Sequence, residues 1–157
     1  MPIYHQLGNI PHKRHTVFEK PNGGIYYEQL FGTEGFSGTS ALLYHVHRPT
    51  MISSFGNAKD VSPIAAIQKN ISPYMLQGFQ SEPQADYLES RNVVLFNNDL
   101  HISVAAPTTS LTEYFYKNAD ADEVIFVHEG TGTLRTMLGN ITFGYGDYLV
   151  IPRGMIY

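Results

Sequence analysis

The last third of the chain is broken by turn residues at short intervals. Gly130, Gly139-Asn140, Gly146-Asp147 and Pro152-Arg153-Gly154 separate segments of strand character. Those segments are Glu123 to His128, Thr133 to Leu138, Ile141 to Tyr145 and Tyr148 to Pro152. Upstream, Asn92 to Phe96 and Leu100 to Ala106 flank Asn97-Asn98-Asp99, a hairpin signal, and Leu111 to Tyr116 follows as a further strand. Many short strands with a turn every eight to twelve residues or so build a sandwich, barrel or jelly roll. The fold class expected is therefore mainly all-β.

The first half is less regular. Ile25 to Leu30 and Ser40 to His47 read as strands, each after a glycine-rich turn: Asn22-Gly23-Gly24 and Gly32 to Gly38. Thr50 to Ser90 holds Pro63, Pro73 and Pro83 and has little period, with a helical turn or two over Ile64 to Lys69. A stretch this long with little structure of its own is usually functional or part of an oligomer contact. The expected organisation is N-terminal strands and turns over 1–50, a long irregular loop over 51–90, and a β-barrel segment over 91–157.

A chain of 157 residues with 43% apolar residues can bury the core of one domain. Its 11 Tyr and 9 Phe favour pleated, half-buried surfaces. A net charge of −4 argues against a nucleic-acid or anionic-membrane partner. The one basic cluster, His12-Lys13-Arg14-His15, reads as a solvated loop or an anion site. The absence of cysteine excludes disulfides, thiolate ligands and a cysteine nucleophile. The sequence shows no apolar signal core and no apolar run long enough to span a bilayer, so a cytoplasmic protein is expected.

The segment Glu123 to Tyr157 resembles the cupin pattern. Six residues separate Glu123 from Gly130, and five separate Gly146 from Pro152-Arg153-Gly154. Between Gly130 and Gly146 lie 15 residues, enough for a compact hairpin. The framework and the chemistry of such a barrel are separable. Glycine and proline shape its turns and strand ends, whereas metal chemistry needs imidazoles and a carboxylate on inward strand faces. The first histidine pair would fall at Tyr116 and Asn118, or at Lys117 and Ala119 in the shorter spacing, and the last histidine at Tyr157. Glu123 alone remains of the ligand set, so no metal is expected in this motif. Glu123 then caps a turn or pairs locally, and the acidic run Asp120, Asp122, Glu123 reads as a solvated turn.

His45 and His47, two apart on a strand, would share a face and are the remaining candidate metal pair. The alternative is a half-exposed strand beside the Pro49 turn. His101 and His128 read as hydrogen-bonded packing residues. Nucleophile elbows, phosphate loops and dinucleotide fingerprints are missing from the sequence.

The N-terminal half carries a more specific resemblance. Pro11 to Thr16, Tyr26 to Gly38 (Tyr-Tyr-Glu-Gln-Leu-Phe-Gly-Thr-Glu-Gly-Phe-Ser-Gly) and Leu42-Leu43-Tyr44-His45 look like bacterial-type homogentisate 1,2-dioxygenase. Asp147 to Gly154 extends the likeness, and Phe31 departs from it where better-known members carry a small residue. The resemblance implies a cupin-like jelly roll, assembly as homotrimers and hexamers, and use of Fe(II) and O₂. It implies opening of the homogentisate ring to maleylacetoacetate in tyrosine and phenylalanine catabolism. It also implies that the iron ligands and the catalytic histidine lie in a C-terminal half beyond Tyr157. The expectation is an N-terminal portion that is inactive alone, with no catalytic, cofactor-binding or metal residue of its own. Its barrel would be truncated before completion, leaving a strand edge unpaired. The alternative is a metal-free cupin module serving oligomer assembly or ligand binding.

Overall fold

The computed structural model describes residues 17–67 and 69–157. The basic cluster at residues 12–15 lies outside that range, as does part of the helical turn expected over 64–69. The described residues of that stretch form no helix. The architecture is all-β and cupin-like, with four antiparallel strand pairs and, among the described residues, no closed barrel. The one helical element described is a single 3-10 turn over Gly78–Gln80.

Two compact units account for the fold. One combines the described residues up to Ser53 with Tyr116–Tyr157, and the other is Ser54–Phe115. The expected 91–157 segment is thus divided at Phe115, and its first hairpin groups with the long irregular stretch. That stretch has local structure of its own. A turn at residues 85–90 is held by the Asp86 carboxylate, which accepts from the backbone N–H of Leu88 at 2.9 Å and of Glu89 at 3.0 Å. The Gln84 N–H donates to the Ala106 carbonyl and the Thr108 N–H to the Gln84 carbonyl, around a parallel bridge at Gln84 and Pro107.

In the first unit, β1 (Tyr27–Glu34) pairs with β2 (Ser37–His45) from Tyr27 opposite His45 to Glu34 opposite Ser37. Gly32 to Gly38 is not the open turn expected from its glycines. The strands run through it and only Gly35-Phe36 turns the chain. Its glycines serve close approach and a bulge instead. A Cβ on Gly32 would collide with the Gly35 carbonyl oxygen, and the register slips between Gly32 and Glu34.

The C-terminal segment is a hairpin nested inside a strand pair. β3 (Asn92–Phe96) and β4 (His101–Val104) belong to the second unit. Their loop is closed as expected by Asn97, whose side-chain oxygen accepts from the N–H groups of Asp99 and Leu100, both at 2.8 Å. In the first unit, β5 (Glu123–Phe126) pairs with β8 (Tyr148–Ile151), while β6 (Gly132–Thr136) pairs with β7 (Gly139–Phe143) between them. The β6–β7 turn is Met137-Leu138, two residues earlier than Gly139-Asn140. Thr136 moves it by using its hydroxyl twice, donating to the Gly139 carbonyl at 2.9 Å and accepting from the Leu138 N–H at 3.1 Å.

Two further expectations are corrected. Leu111 to Tyr116 is irregular rather than a strand, because its neighbourhood forms only an isolated bridge at Lys117. The strand edge expected to be open after β8 is in part paired. Tyr116 and Tyr157 exchange backbone hydrogen bonds at 2.8 and 3.0 Å, and the Gly154 N–H donates to the Asn118 carbonyl at 2.7 Å. The Met137 N–H meets the Ile156 carbonyl at 3.0 Å from another side.

Gly32→Ala should destabilise the protein by about 1–3 kcal/mol, because the new methyl meets backbone and not a yielding side chain. Gly56→Ala, with open space around it, should be neutral or slightly stabilising. Urea unfolding midpoints of the two variants check the contrast.

Candidate functional site

β5 and β8 are in register with Glu123 opposite Ile151, so Glu123 stands at the end of the pair where the chain leaves β8. The chain then turns at Arg153-Gly154, with Gly154 at a φ of 84°, and returns along residues 116–118. This return places Tyr157 beside both Tyr116 and Glu123. The Tyr157 hydroxyl donates to Glu123 Oε2 at 2.6 Å. The Tyr116 and Tyr157 rings meet edge to face at 5.4 Å. All three residues are half-buried.

Three of the four cupin ligand positions therefore converge, as the motif spacing requires, but they carry other chemistry. The fourth position, Asn118, is committed to the backbone. Its side-chain oxygen accepts from the N–H groups of Asp120 and Ala121 at 3.0 and 3.1 Å. The shorter-spacing candidates Lys117 and Ala119 are exposed. A ferrous centre of this class needs two imidazoles and a carboxylate. Here two phenols and an occupied amide surround one carboxylate, and one oxygen of that carboxylate already accepts a short hydroxyl bond. The donor set does not fit Fe(II), and among the described residues no group of three His, Cys, Asp or Glu side chains could hold a metal.

The Glu123 carboxylate accepts a hydroxyl bond from far along the chain. Its partner lies 34 positions away. Asp122 acts in parallel, accepting from the Arg153 N–H at 2.7 Å. Two members of the acidic run thus hold the returning C-terminal segment, which is the physical reason the run is not merely a solvated turn.

The histidine pair is not assembled as a metal site. β2 ends at His45, and His47 lies beyond it on irregular chain. His45 is half-buried, and its Nε2 is 2.8 Å from Gln29 Oε1. Burial pulls the His45 imidazole below its ordinary value, so the neutral ring is favoured. Beside it, the Tyr44 hydroxyl donates to the directly opposite Glu28 at 3.0 Å. Burial, then that bond and the Glu28 charge, raise the Tyr44 phenol. His101 and His128 take part in ring packing, His101 against Phe96 at 5.9 Å and His128 near Phe126 and Tyr145.

The pair Tyr114 and Asp86 was not singled out from sequence. The Tyr114 hydroxyl donates to Asp86 Oδ2 at 2.6 Å, while the other carboxylate oxygen holds the 85–90 turn. The Tyr114 bond and the turn N–H groups lower the Asp86 carboxyl, and the same bond pushes Tyr114 up to about 12. The only available sequence signal was an aspartate shortly after Pro83, and its tyrosine partner is 28 positions distant.

Comparison with known proteins finds relatives of the chain. A "Putative dioxygenase" of Saccharolobus solfataricus is 38% identical over all 157 residues of the chain. The chain spans 41% of the length of that protein. No protein-family model matches the chain, and no solved structure matches it.

Tyr157→Phe should cost about 1–2 kcal/mol, the loss of a hydroxyl bond to a charged, half-buried acceptor. A double-mutant cycle with Glu123→Gln, read by thermal unfolding, should return most of that loss as coupling.

The Tyr114 and Asp86 bond also sets a pH window. A raised phenol contributes stability that is complete below its unfolded value of 10.0 and is lost as pH rises through about 12. A lowered carboxyl contributes stability present above its unfolded value of 3.8 and lost as pH falls through the folded one. Asp86→Asn should return the highest-titrating tyrosine toward 10.0, as followed by ultraviolet phenolate absorbance.

Proposed function

We propose that this chain forms the N-terminal, non-catalytic part of a ring-cleaving dioxygenase. The observation that carries this reading is the identity of 38% along the whole chain to a "Putative dioxygenase" more than twice as long. The tyrosine and glutamate at the cupin ligand positions support it, since they give the barrel framework a structural filling in place of a metal. Homogentisate is the substrate proposed, on the strength of the Tyr26 to Gly38 and Asp147 to Gly154 stretches. In this reading Fe(II) and O₂ act at ligands supplied outside these 157 residues. The product is maleylacetoacetate, formed in the cytoplasm in tyrosine and phenylalanine breakdown. Among the described residues no helix is long and apolar enough to cross a membrane.

The part this chain plays is then scaffolding, and one sheet face favours an assembly role. Val124 and Val150 are cross-strand partners, as are Phe126 and Tyr148, and the four lie on one face of β5–β8. All four are exposed, at 65%, 67%, 47% and 68% respectively. The opposite face holds the buried Ile151 and half-buried Glu123, Ile125 and Leu149. A sheet with one apolar face uncovered suits a homotrimer or hexamer, or a metal-free cupin module whose business is assembly.

The purified chain, supplied with Fe(II), air and homogentisate, should consume no oxygen and form no maleylacetoacetate. Steady production by the 157-residue chain would sink the division of labour. Light scattering separates the two readings further. Phe126→Glu should lower the assembled mass if the face is an interface, and a monodisperse monomer before mutation would count against the assembly role.

A further inference from the structure

Two cationic side chains meet one aromatic ring where β2 ends. Tyr27 opens β1 opposite His45. The Lys20 ammonium lies 4.3 Å from the Tyr27 ring centroid and the Arg48 guanidinium 4.6 Å from it. Each contact is favourable alone, because the ring face is negative. Both together set two like charges on one ring.

The arrangement is held by backbone. Lys20 sits in a tight turn closed by its N–H on the Gly24 carbonyl at 2.8 Å and by the Gly23 N–H on its own carbonyl at 3.0 Å. Its ammonium donates to the Val46 carbonyl at 3.1 Å, which ties this turn to the exit of β2. Arg48 follows two residues later. One guanidinium N–H reaches Met51 Sδ at 3.6 Å, a weak acceptor, and guanidinium has five such donors. Among the described residues, no carboxylate forms an ion pair with Lys20 or Arg48. This local excess of positive charge stands out on a chain of net charge −4.

Tyr27 and Arg48 also border a cleft. Tyr27, Val46, His47, Arg48, Met51 and Ser53 line a solvent-open depression of about 440 Å³. That volume is in the range of small-ligand sites. Its polar groups are the Arg48 fork, which can only donate, the Ser53 hydroxyl and the His47 ring. Val46 and Met51 supply an apolar wall. Arg matches a carboxylate with two parallel N–H bonds, which an ammonium cannot do.

We propose that this cleft binds a small organic carboxylate, with its charge on Arg48 and a short apolar tail along Val46 and Met51. Every residue involved lies between Lys20 and Ser53, so the site stands whether or not the chain belongs to a dioxygenase.

Butyrate, butyramide and inorganic phosphate, each titrated into the isotope-labelled protein, test this by amide chemical shifts. Butyrate should give saturable shifts confined to Tyr27 and residues 46–53. Butyramide should give none, and phosphate should bind more weakly than butyrate. Arg48→Gln should weaken butyrate about tenfold, the worth of one charge-assisted bond. Because Arg48 packs on Tyr27, Arg48→Lys is measured as well. It keeps charge and stem but loses the fork, and should still bind several-fold more weakly than the parent protein. Equal binding of butyramide or phosphate would overturn the proposal. So would shifts scattered over the chain, or parent-like affinity in Arg48→Lys.

Discussion

The hydroxyl of Tyr157 on the carboxylate of Glu123 is the contact on which the C-terminal segment closes. The strand ladder alone would leave residues 152–157 as a tail. Returning them along residues 116–118 requires a turn at Pro152 to Gly154 and an anchor at the far end. Asp122 fastens the turn through the Arg153 N–H, and Glu123 fastens the end through Tyr157. Short bonds to ionised acceptors are among the stronger hydrogen bonds a protein can make, and half-burial shields this one from competing water.

That anchor occupies the place where a cupin would hold its metal. The geometry of the motif and the chemistry of the motif have come apart. Register and turns bring positions 116, 123 and 157 together regardless of what they carry, because glycine and proline act through the backbone. What the positions carry decides the outcome. Two phenols and a carboxylate make a ring contact and a hydroxyl bond, and they leave no set of imidazoles for iron. The barrel framework is thereby converted from a metal cage into a brace.

Much of the β architecture was legible in the sequence, and the misses have particular causes. The hairpin around Asn97 was readable because Asx turns are local. The glycines of Gly32 to Gly38 misled because a glycine in a bulge looks the same in sequence as a glycine in a loop. Met137-Leu138 was missed as a turn because Thr136, not glycine, organises it. The uncovered face of β5–β8 was also invisible. Alternation shows that a strand has two faces, and it does not show whether both are covered.

The sequence by itself determined that this chain is built of short strands, that its cupin framework lacks the histidines of a metal site, and that it is similar to a protein named as a putative dioxygenase. These are local properties of residue type and spacing. Tertiary structure alone decided that Glu123 meets Tyr157, that Asp86 meets Tyr114, and that Lys20 and Arg48 share the ring of Tyr27. Each of these contacts joins residues more than twenty positions apart, or joins turn to strand to loop. Such pairs arise from register and chain return, which no local pattern of residues encodes.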